Sequence, residues 1–398
     1  MFRPELLCPA GDEEKFFTAL TYGADALYLG GEELSLRAKT KGFSLQNLSS
    51  FIQIAHNQQV KVYFCLNILA QEKHLPQVQA YLEQLKATEV DGLIIADPGV
   101  ISLAQKIAPH IPIHLSTQAN TSNSASILFW QSQGVKRVNL ARELDHRQIA
   151  QIKAQVGERV ELEVFVHGAM CMAISGRCFL SSYLNQRSAN LGLCTHPCRF
   201  EYKLVEKTRG QELFEVQEEE FSKILASEDL GLIKYLNWFR KKKIHSLKIE
   251  GRNKTTSYLA RTVDAYKTAL LDLEKKQFSL PRYYSYLEPS LTRPLSTGFF
   301  LSQRKILLHP LAQKKAILGQ VAESIDSNTY TLKVKSRWDT TKKVNLLLPR
   351  LKKITLEPKD YALEKENGER VSLAHPGLTY VFKTDSPYLA PHLLLEEV

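Results

Sequence analysis

Four cysteines within one short segment are the residues of this chain with the clearest chemical potential. The segment 167–198 holds four of the six cysteines, Cys171, Cys178, Cys194 and Cys198, in the spacing C-x6-C-x15-C-x3-C. In a reducing compartment, clustered cysteines indicate metal ligation or redox chemistry rather than disulfides. Zinc sites favour C-x2-4-C pairs, which only the second pair approaches, and four thiolates suit an iron–sulfur cluster equally well. The spacing alone leaves an iron–sulfur cluster, zinc and redox thiols open.

The remaining two cysteines have a simpler interpretation. Cys8 and Cys65 lie inside apolar runs that are typical of strands. We interpret both as small buried hydrophobic residues. The four clustered cysteines do not fit that interpretation, because they lie among Gly, Ser, Asn and Arg residues.

The first two thirds of the chain repeat a short apolar run followed by a helical pattern. The eight apolar runs are Glu5–Ala10, Ala26–Gly30, Lys61–Asn67, Gly92–Asp97, Ile111–Asn120, Arg137–Glu143, Val160–Gly168 and Ser246–Arg252. Strands that are apolar on both faces and alternate with helices indicate a parallel sheet. Eight such units predict an α/β fold, a (β/α)8 TIM-like barrel over residues 1–275. A doubly wound open sheet is the alternative.

The pattern changes in the last third of the chain. Residues 276–311 are rich in proline and aromatic residues, and we interpret them as a connector. Residues 312–398 contain short β-type runs that are separated by turns, with no helical pattern between them. Such strands predict a small antiparallel β-barrel domain.

In a barrel of this kind the active site lies where the strands end and the following loops begin. The polar residues at these ends are Asn67, Asp97, Gln118, Asn120, Arg142, Glu143, His167, Glu250 and Arg252. We take His167, Glu143 and Asp97 as candidate catalytic groups. The alternatives are a helix cap or turn for Asp97 and a loop hydrogen bond for His167. The cysteine segment follows the seventh predicted strand directly, so we expect the four thiols at the same mouth.

The cysteine segment and its surroundings also resemble a known family. The runs EVFVHGAMC (163–171) and SGRCFLS (175–181) resemble the signature of the collagenase-like peptidase family U32, as do ELLCPAG, YGADALYLGG, HLSTQAN and SLKIEGR elsewhere in the chain. The run CTHPCR (194–199) resembles one branch of that family in particular. Members of that branch make 5-hydroxyuridine at the wobble position of tRNA with prephenate as the co-substrate.

The resemblance implies a cofactor and partners. It implies a [4Fe–4S] cluster whose ligands are Cys171, Cys178, Cys194 and Cys198. Four thiolates saturate such a cluster, so it would pass electrons, from a donor that is not identified, or hold the loop in shape. It also implies a tRNA hydroxylase as the activity, with hydroxylation of ribosomal RNA as an alternative within the family.

Prephenate carries two carboxylates, and a guanidinium group binds a carboxylate through two parallel hydrogen bonds. We therefore expect Arg142 and Arg252 to bind the co-substrate. The family resemblance adds Arg37. The other residues that we assign to substrate binding are Gln118, Asn120 and Glu250. The alternative is a pair of ion pairs at the barrel rim, formed by the two arginines with the neighbouring Glu143 and Glu250.

Two rival functions remain open. The peptidase name predicts proteolysis, yet the chain has no HExxH zinc motif and no GxSxG nucleophile motif. A Ser/His/Asp triad assembled from distant residues would still allow it. A non-catalytic RNA-binding factor with a structural cluster is the third class.

The charge of the chain favours an anionic partner. Lys and Arg number 52 against 42 Asp and Glu, which gives a net charge of +10 and excludes an acidic solvating protein. Residues 330–355 contain eight Lys or Arg and one acid. We expect this segment to contact the anticodon arm of tRNA through Lys333, Lys335, Arg337, Lys342, Lys343 and Lys352. An ordinary solvated sheet face is the alternative.

Two further expectations concern location. No apolar run approaches the ~18 residues that a membrane span needs. The first residues do not have the shape of a signal peptide. We therefore expect a cytoplasmic protein with no membrane partner.

Overall fold

A closed parallel barrel forms the larger part of the molecule. The computed structural model describes residues 2–32, 34, 42–171, 173–200, 204–205, 213–214, 228–312 and 314–398. The strands of this part are β1 Glu5–Pro9, β2 Ala26–Gly30, β3 Lys61–Leu66, β4 Gly92–Ile95, β5 Ile113–Leu115, β6 Val135–Asn139, β7 Glu161–Ala169, β8 Leu204–Val205, β9 Leu213–Phe214, β10 Asp229–Gly231 and β11 Ser246–Ile249. Strands β1 to β7 pair in sequence, and β11 pairs in parallel with both β7 and β1. Because the sheet closes on itself, the prediction of a (β/α)8 barrel is confirmed and the alternative of a doubly wound open sheet is excluded.

Helices alternate with the barrel strands. They are α1 Glu13–Thr21, α2 Leu45–Asn57, α3 Leu75–Leu85, α4 Pro98–Ile107, α5 Ser124–Ser132, α6 His146–Val156, α7 Leu180–Asn185, α8 Leu236–Lys241, α9 Thr256–Glu274 and α10 Leu280–Leu287. Side-chain caps fix several of the starts: Asp12 accepts a hydrogen bond from the Lys15 amide, and Asp145 accepts from the Gln148 amide. In the described part of the chain, no helix is both long and apolar enough to cross a membrane.

Side-chain alternation along the barrel strands creates two separate apolar clusters. The larger one joins one strand face to the helices. The smaller one contains Leu7, Tyr28, Tyr63, Cys65 and Ile94 on the opposite strand face. Both Cys8 and Cys65 are buried, as expected for structural cysteines. The second cluster forms the floor on which the candidate site is built.

The segment that we interpreted as a connector continues the barrel sheet. Residues 276–311 include α10, which packs on α9, and two short strands, β12 Leu295–Ser296 and β13 Ile306–Leu308. Strand β12 pairs with β10, and β10 runs antiparallel to β7. The segment therefore covers one side of the barrel.

The last part of the chain folds into a curled antiparallel sheet, as predicted. Its strands are β14 Ile317–Ser324, β15 Thr329–Val334, β16 Trp338–Asp339, β17 Val344–Leu348, β18 Lys352–Leu356, β19 Tyr361–Glu364, β20 Leu373–Ala374, β21 Thr379–Thr384 and β22 Leu394–Glu397. Seven of them form one sheet in the order β18-β17-β22-β14-β15-β21-β19, and β16 pairs with β20.

Buried polar contacts attach this β-domain to helices α1 and α9 of the barrel. The hydroxyl of Tyr22 donates to the carbonyl of Leu347 over 2.9 Å. The side chain of Arg261 on α9 forms an ion pair with Glu396 on β22, and both are fully buried. Glu396 also accepts a hydrogen bond from Lys353 Nζ over 3.0 Å. Because the buried Arg261 guanidinium has no other carboxylate partner among the described residues, the pair helps to fix how the two domains sit together.

Candidate functional site

One cavity at the carboxyl end of the barrel strands collects most of the predicted site residues. The cavity and the open solvent at its mouth together occupy about 1060 Å³. The four clustered cysteines line it, together with Asn67, Gln118, Arg142, Glu250 and Arg252. This is the end at which barrels of this class carry their active sites. The chain therefore brings the cysteine segment and the polar strand ends to one place.

The segment 170–200 lies across the cavity as a loop, which we call the cysteine loop. It is anchored through Ser175, which is buried. The Ser175 amide donates to Glu143 Oε1 over 2.6 Å, and its hydroxyl lies 2.9 Å from Asn120 Oδ1 and 3.1 Å from Glu143 Oε2. The Arg177 side chain donates to the Gln118 carbonyl over 2.8 Å. Glu143, Asn120 and Gln118 therefore hold the loop in position, a role that the sequence did not predict for them.

Further contacts order the interior of the cysteine loop. The Asn190 side chain accepts from the Cys178 amide over 3.2 Å, and the Asn190 carbonyl accepts from the Leu69 amide over 3.0 Å. The Cys194 sulfur lies 3.4 Å from the amide nitrogen of His196, which donates to it. Hydrogen bonds to the ligating sulfurs are one of the features that set the reduction potential of an iron–sulfur cluster.

The four cysteines are close enough to influence one another. None forms a disulfide, and each is partly exposed. Burial raises the pKa of the Cys198 thiol, Arg199 lowers it, and the other three cysteines raise it further. Within the described ranges, however, no three His, Cys, Asp or Glu side chains stand in a metal-binding arrangement. Four thiols that line one cavity are nevertheless the donor set that a tetrathiolate iron–sulfur site uses.

Two arginines line the cavity without a carboxylate partner among the described residues. The Arg142 guanidinium lies 4.1 Å from the centre of the Phe165 ring, and that of Arg252 lies 5.6 Å from the centre of the Tyr28 ring. The Nε atom of each is buried and has no hydrogen-bond acceptor in the described structure. Glu143 directs its oxygens at the cysteine loop instead of at Arg142. A buried guanidinium nitrogen that has no acceptor among the described residues favours an anionic ligand at this cavity.

The floor of the cavity holds a charge that the sequence did not single out. Lys248 is buried, and its ammonium lies 3.0 Å from Glu163 Oε1 and 4.5 Å from the centre of the Tyr28 ring. The Tyr28 hydroxyl donates to the Ile249 carbonyl over 2.9 Å. Tyr28, Phe165 and Lys248 all line the cavity. They lie within strands β2, β7 and β11, and their signal in the sequence is an aromatic or charged side chain inside an apolar run.

Asp97 and His167, both proposed as catalytic, lie outside the cavity lining. The Asp97 carboxylate accepts from the Gly99 amide over 2.8 Å and from the Val100 amide over 3.1 Å, so it caps helix α4. His167 is 1% exposed, and its Nδ1 atom lies 3.2 Å from the Tyr266 hydroxyl. Burial lowers the pKa of His167 to about 3, so it is neutral and faces α9. These contacts favour the alternatives that the sequence left open, a helix cap for Asp97 and a hydrogen-bonding role for His167, over the catalytic assignments.

Close backbone packing sets the position of the strand ends that carry Glu250 and Arg252. Gly168 has a φ of +110°, and a Cβ atom there would stand 2.1 Å from the Glu250 carbonyl oxygen. A Cβ atom on Gly11 would stand 2.3 Å from the Arg252 carbonyl oxygen. Glycine is therefore required at both positions. Arg37, the third predicted substrate-binding arginine, lies outside the described residues.

The predicted RNA-binding residues lie on the β-domain surface. Lys333, Lys335, Arg337, Lys342, Lys343 and Lys352 are all exposed. Two of them make ion pairs: Lys335 Nζ lies 2.6 Å from Glu14 Oε2 on α1, and Lys343 Nζ lies 2.9 Å from Glu357 Oε1. These pairs reduce the charge that the patch offers to phosphates.

Known proteins resemble this chain over most of its length. A protein of Escherichia coli (strain K12) named tRNA hydroxylation protein P is 34% identical and covers 96% of this chain and 93% of its own. A Bacillus subtilis (strain 168) protein named tRNA hydroxylation protein P1 is 35% identical, with 75% of this chain and 71% of its own covered. A more distant relative, named Collagenase, from Porphyromonas gingivalis (strain ATCC BAA-308 / W83) is 29% identical over 75% of this chain and 74% of its own. The model of peptidase family U32 matches residues 11–309, and the chain belongs to that family.

Proposed function

We propose that this protein hydroxylates the wobble uridine of tRNA to 5-hydroxyuridine, with prephenate as the co-substrate and a [4Fe–4S] cluster bound in the cavity. The observation that carries the proposal is the convergence on one cavity, at the barrel mouth, of four cysteines and two arginines that form no ion pair with any described residue. The names of the relatives that cover most of this chain support RNA hydroxylation.

Cys171, Cys178, Cys194 and Cys198 would hold the cluster. When bound, a cluster with four thiolate ligands supplies electron transfer. The chain itself orders the ligands, because Glu143 binds Ser175, three residues before Cys178, and the Asn190 side chain accepts from the Cys178 amide. An electron-transfer partner would be required, and it is not identified.

Arg142 and Arg252 would bind the two carboxylates of prephenate. Their aromatic neighbours, Phe165 and Tyr28, leave the planar edges of the guanidinium groups available for hydrogen bonds. Lys248 lies at the cavity floor in an ion pair with Glu163. The tRNA would approach from solvent in the cytoplasm, attracted by the net charge of +10.

Complementation of a bacterial strain that lacks wobble hydroxylation tests the proposal. We expect the unaltered chain to restore 5-hydroxyuridine in tRNA and Cys194→Ser to fail. Cys8→Ala, which removes a buried cysteine far from the quartet in sequence, is the matched control and should still restore it. Anaerobically purified protein should contain iron and acid-labile sulfide, which Cys194→Ser should lose.

The same experiment separates the rival functions. A peptidase would retain proteolysis in Cys194→Ser and lose it with a single Ser or His. A non-catalytic RNA-binding factor would bind tRNA without forming 5-hydroxyuridine. Full rescue by Cys194→Ser would refute the proposed function.

A further inference from the structure

The cysteine loop presents large apolar side chains to solvent beside the cavity. Phe179 is 82% exposed and Tyr183 is 85% exposed. Ile174 and Leu184 on the same loop are also exposed. Contiguous exposed apolar groups on a folded protein mark interaction surfaces.

The two aromatic side chains share one outer face of the loop. Phe179 directly precedes α7 and Tyr183 follows four residues later, with the Tyr183 amide donating to the Phe179 carbonyl over 2.8 Å. Residues four apart on a helix are neighbours on its surface. Ser181 faces inwards, fully buried, and its hydroxyl lies 3.1 Å from the Thr195 hydroxyl. The inward contact keeps the aromatic face turned towards solvent.

This surface is positively charged and adjoins the cavity. Residues 173–200 contain Arg177, Arg187 and Arg199 and no aspartate or glutamate. Arg199 lines the cavity, as does Cys178, the residue immediately before Phe179. A partner at this surface would therefore be anionic, would carry flat apolar groups and would reach the cavity directly.

We propose that Phe179 and Tyr183 form a stacking platform for the unpaired bases that flank the target uridine. The inference rests on the proposed function and extends it to the means by which the RNA loop is opened. A uracil can enter the cavity only if it leaves the stack of its neighbours, and aromatic side chains accept the bases that this exposes. Arg187 and Arg199 contact the flanking phosphates, while Arg177 anchors the loop to the Gln118 carbonyl. The platform selects single-stranded loops, because a duplex keeps its bases paired.

The test measures the affinity of anaerobically purified protein for a fluorescent anticodon stem–loop RNA. Loss of one stacked base weakens binding by about 5- to 150-fold. We expect the double variant Phe179→Ala/Tyr183→Ala to bind at least tenfold more weakly. Phe179→Tyr/Tyr183→Phe, which keeps both rings, should bind as the unaltered protein does. Phe129→Ala on α5 removes another exposed aromatic side chain and is the matched control.

Iron content and prephenate affinity should be unchanged in the double alanine variant. Unchanged affinity for the stem–loop would overturn the inference, as would an equal loss for a fully paired RNA duplex. Loss of binding to a reduced flavodoxin or ferredoxin, with RNA affinity intact, would also overturn it, because the surface would then receive a protein electron donor. Failure of the unaltered protein to bind or modify the RNA would instead contradict the proposed function itself.

Discussion

Replacement of Arg142 by Lys tests whether the guanidinium groups that line the cavity bind a dicarboxylate. The Arg142 side chain stacks on Phe165, and its buried Nε atom has no acceptor among the described residues. Lysine keeps the positive charge but loses the planar fork and one of two parallel hydrogen bonds. A hydrogen bond to a charged group contributes about 1.5–3 kcal/mol. Loss of one such bond corresponds to a Kd for prephenate that rises by about 10- to 150-fold.

Titration calorimetry of prephenate into anaerobically purified protein measures this change. Arg147→Lys is the matched control, because Arg147 is exposed on α6 and does not line the cavity. Iron and sulfide content should stay constant in both variants, since neither arginine contacts the cysteines in the proposed arrangement. An unchanged Kd for Arg142→Lys, with the cluster intact, would refute the assignment of Arg142 to the carboxylate.

Three other changes test the β-domain, the strand ends and the buried histidine. Replacement of Lys333 and Arg337 by Glu should weaken tRNA binding and reduce the dependence of the affinity on salt, as measured by filter binding at several salt concentrations. An affinity equal to that of the unaltered protein would exclude the β-domain patch from tRNA binding. Gly168→Ala should lower Tm by several degrees. Gly368 also has a positive φ but open space around it, so Gly368→Ala should lower Tm less. An equal decrease in Tm for the two variants would exclude a clash with the Glu250 carbonyl as the cause. Since the pKa of buried His167 is about 3 against about 6.5 when unfolded, stability should fall as the pH drops from about 6.5 towards 3. Denaturant titrations should show a flatter pH profile for His167→Gln, and an identical profile would contradict this.

The barrel could be predicted from sequence because each βα unit carries its own local signal. The apolar run Ala26–Gly30 coincides with strand β2, and the other seven runs contain or overlap their strands. The prediction of the β-domain from sequence was less complete. The sequence predicted short strands in this part of the chain without fixing their order, and Lys352, which we assigned to a charged patch, is the first residue of strand β18. Strands that pair with distant partners leave only a weak local pattern.

The candidate site could also be predicted only in part. The position of the cysteine loop followed from its place after β7, because chain order decides which end of a parallel barrel a loop occupies. The face of strand β7 from which the His167 side chain projects could not be predicted from the sequence. Phe165 pairs with Lys248, and the next registered pair is His167 with Ile249, so the strand contains a bulge at this point. One additional residue turns the following side chain to the opposite face, and nothing in the sequence marks it.

The position of β22 also constrains how the molecule is made. This strand lies between β17 and β14 in the middle of its sheet, although it comes last among the strands in the chain. Glu396 on β22 is also the partner of Arg261, which lies 135 positions earlier. During synthesis, the barrel can assemble while its buried guanidinium still lacks a counterion and the β-domain still lacks a central strand. The ion pair and the sheet can be completed only after residues 394–397 leave the ribosome. Products that lack these residues should therefore be recognised by chaperones and proteases rather than accumulate.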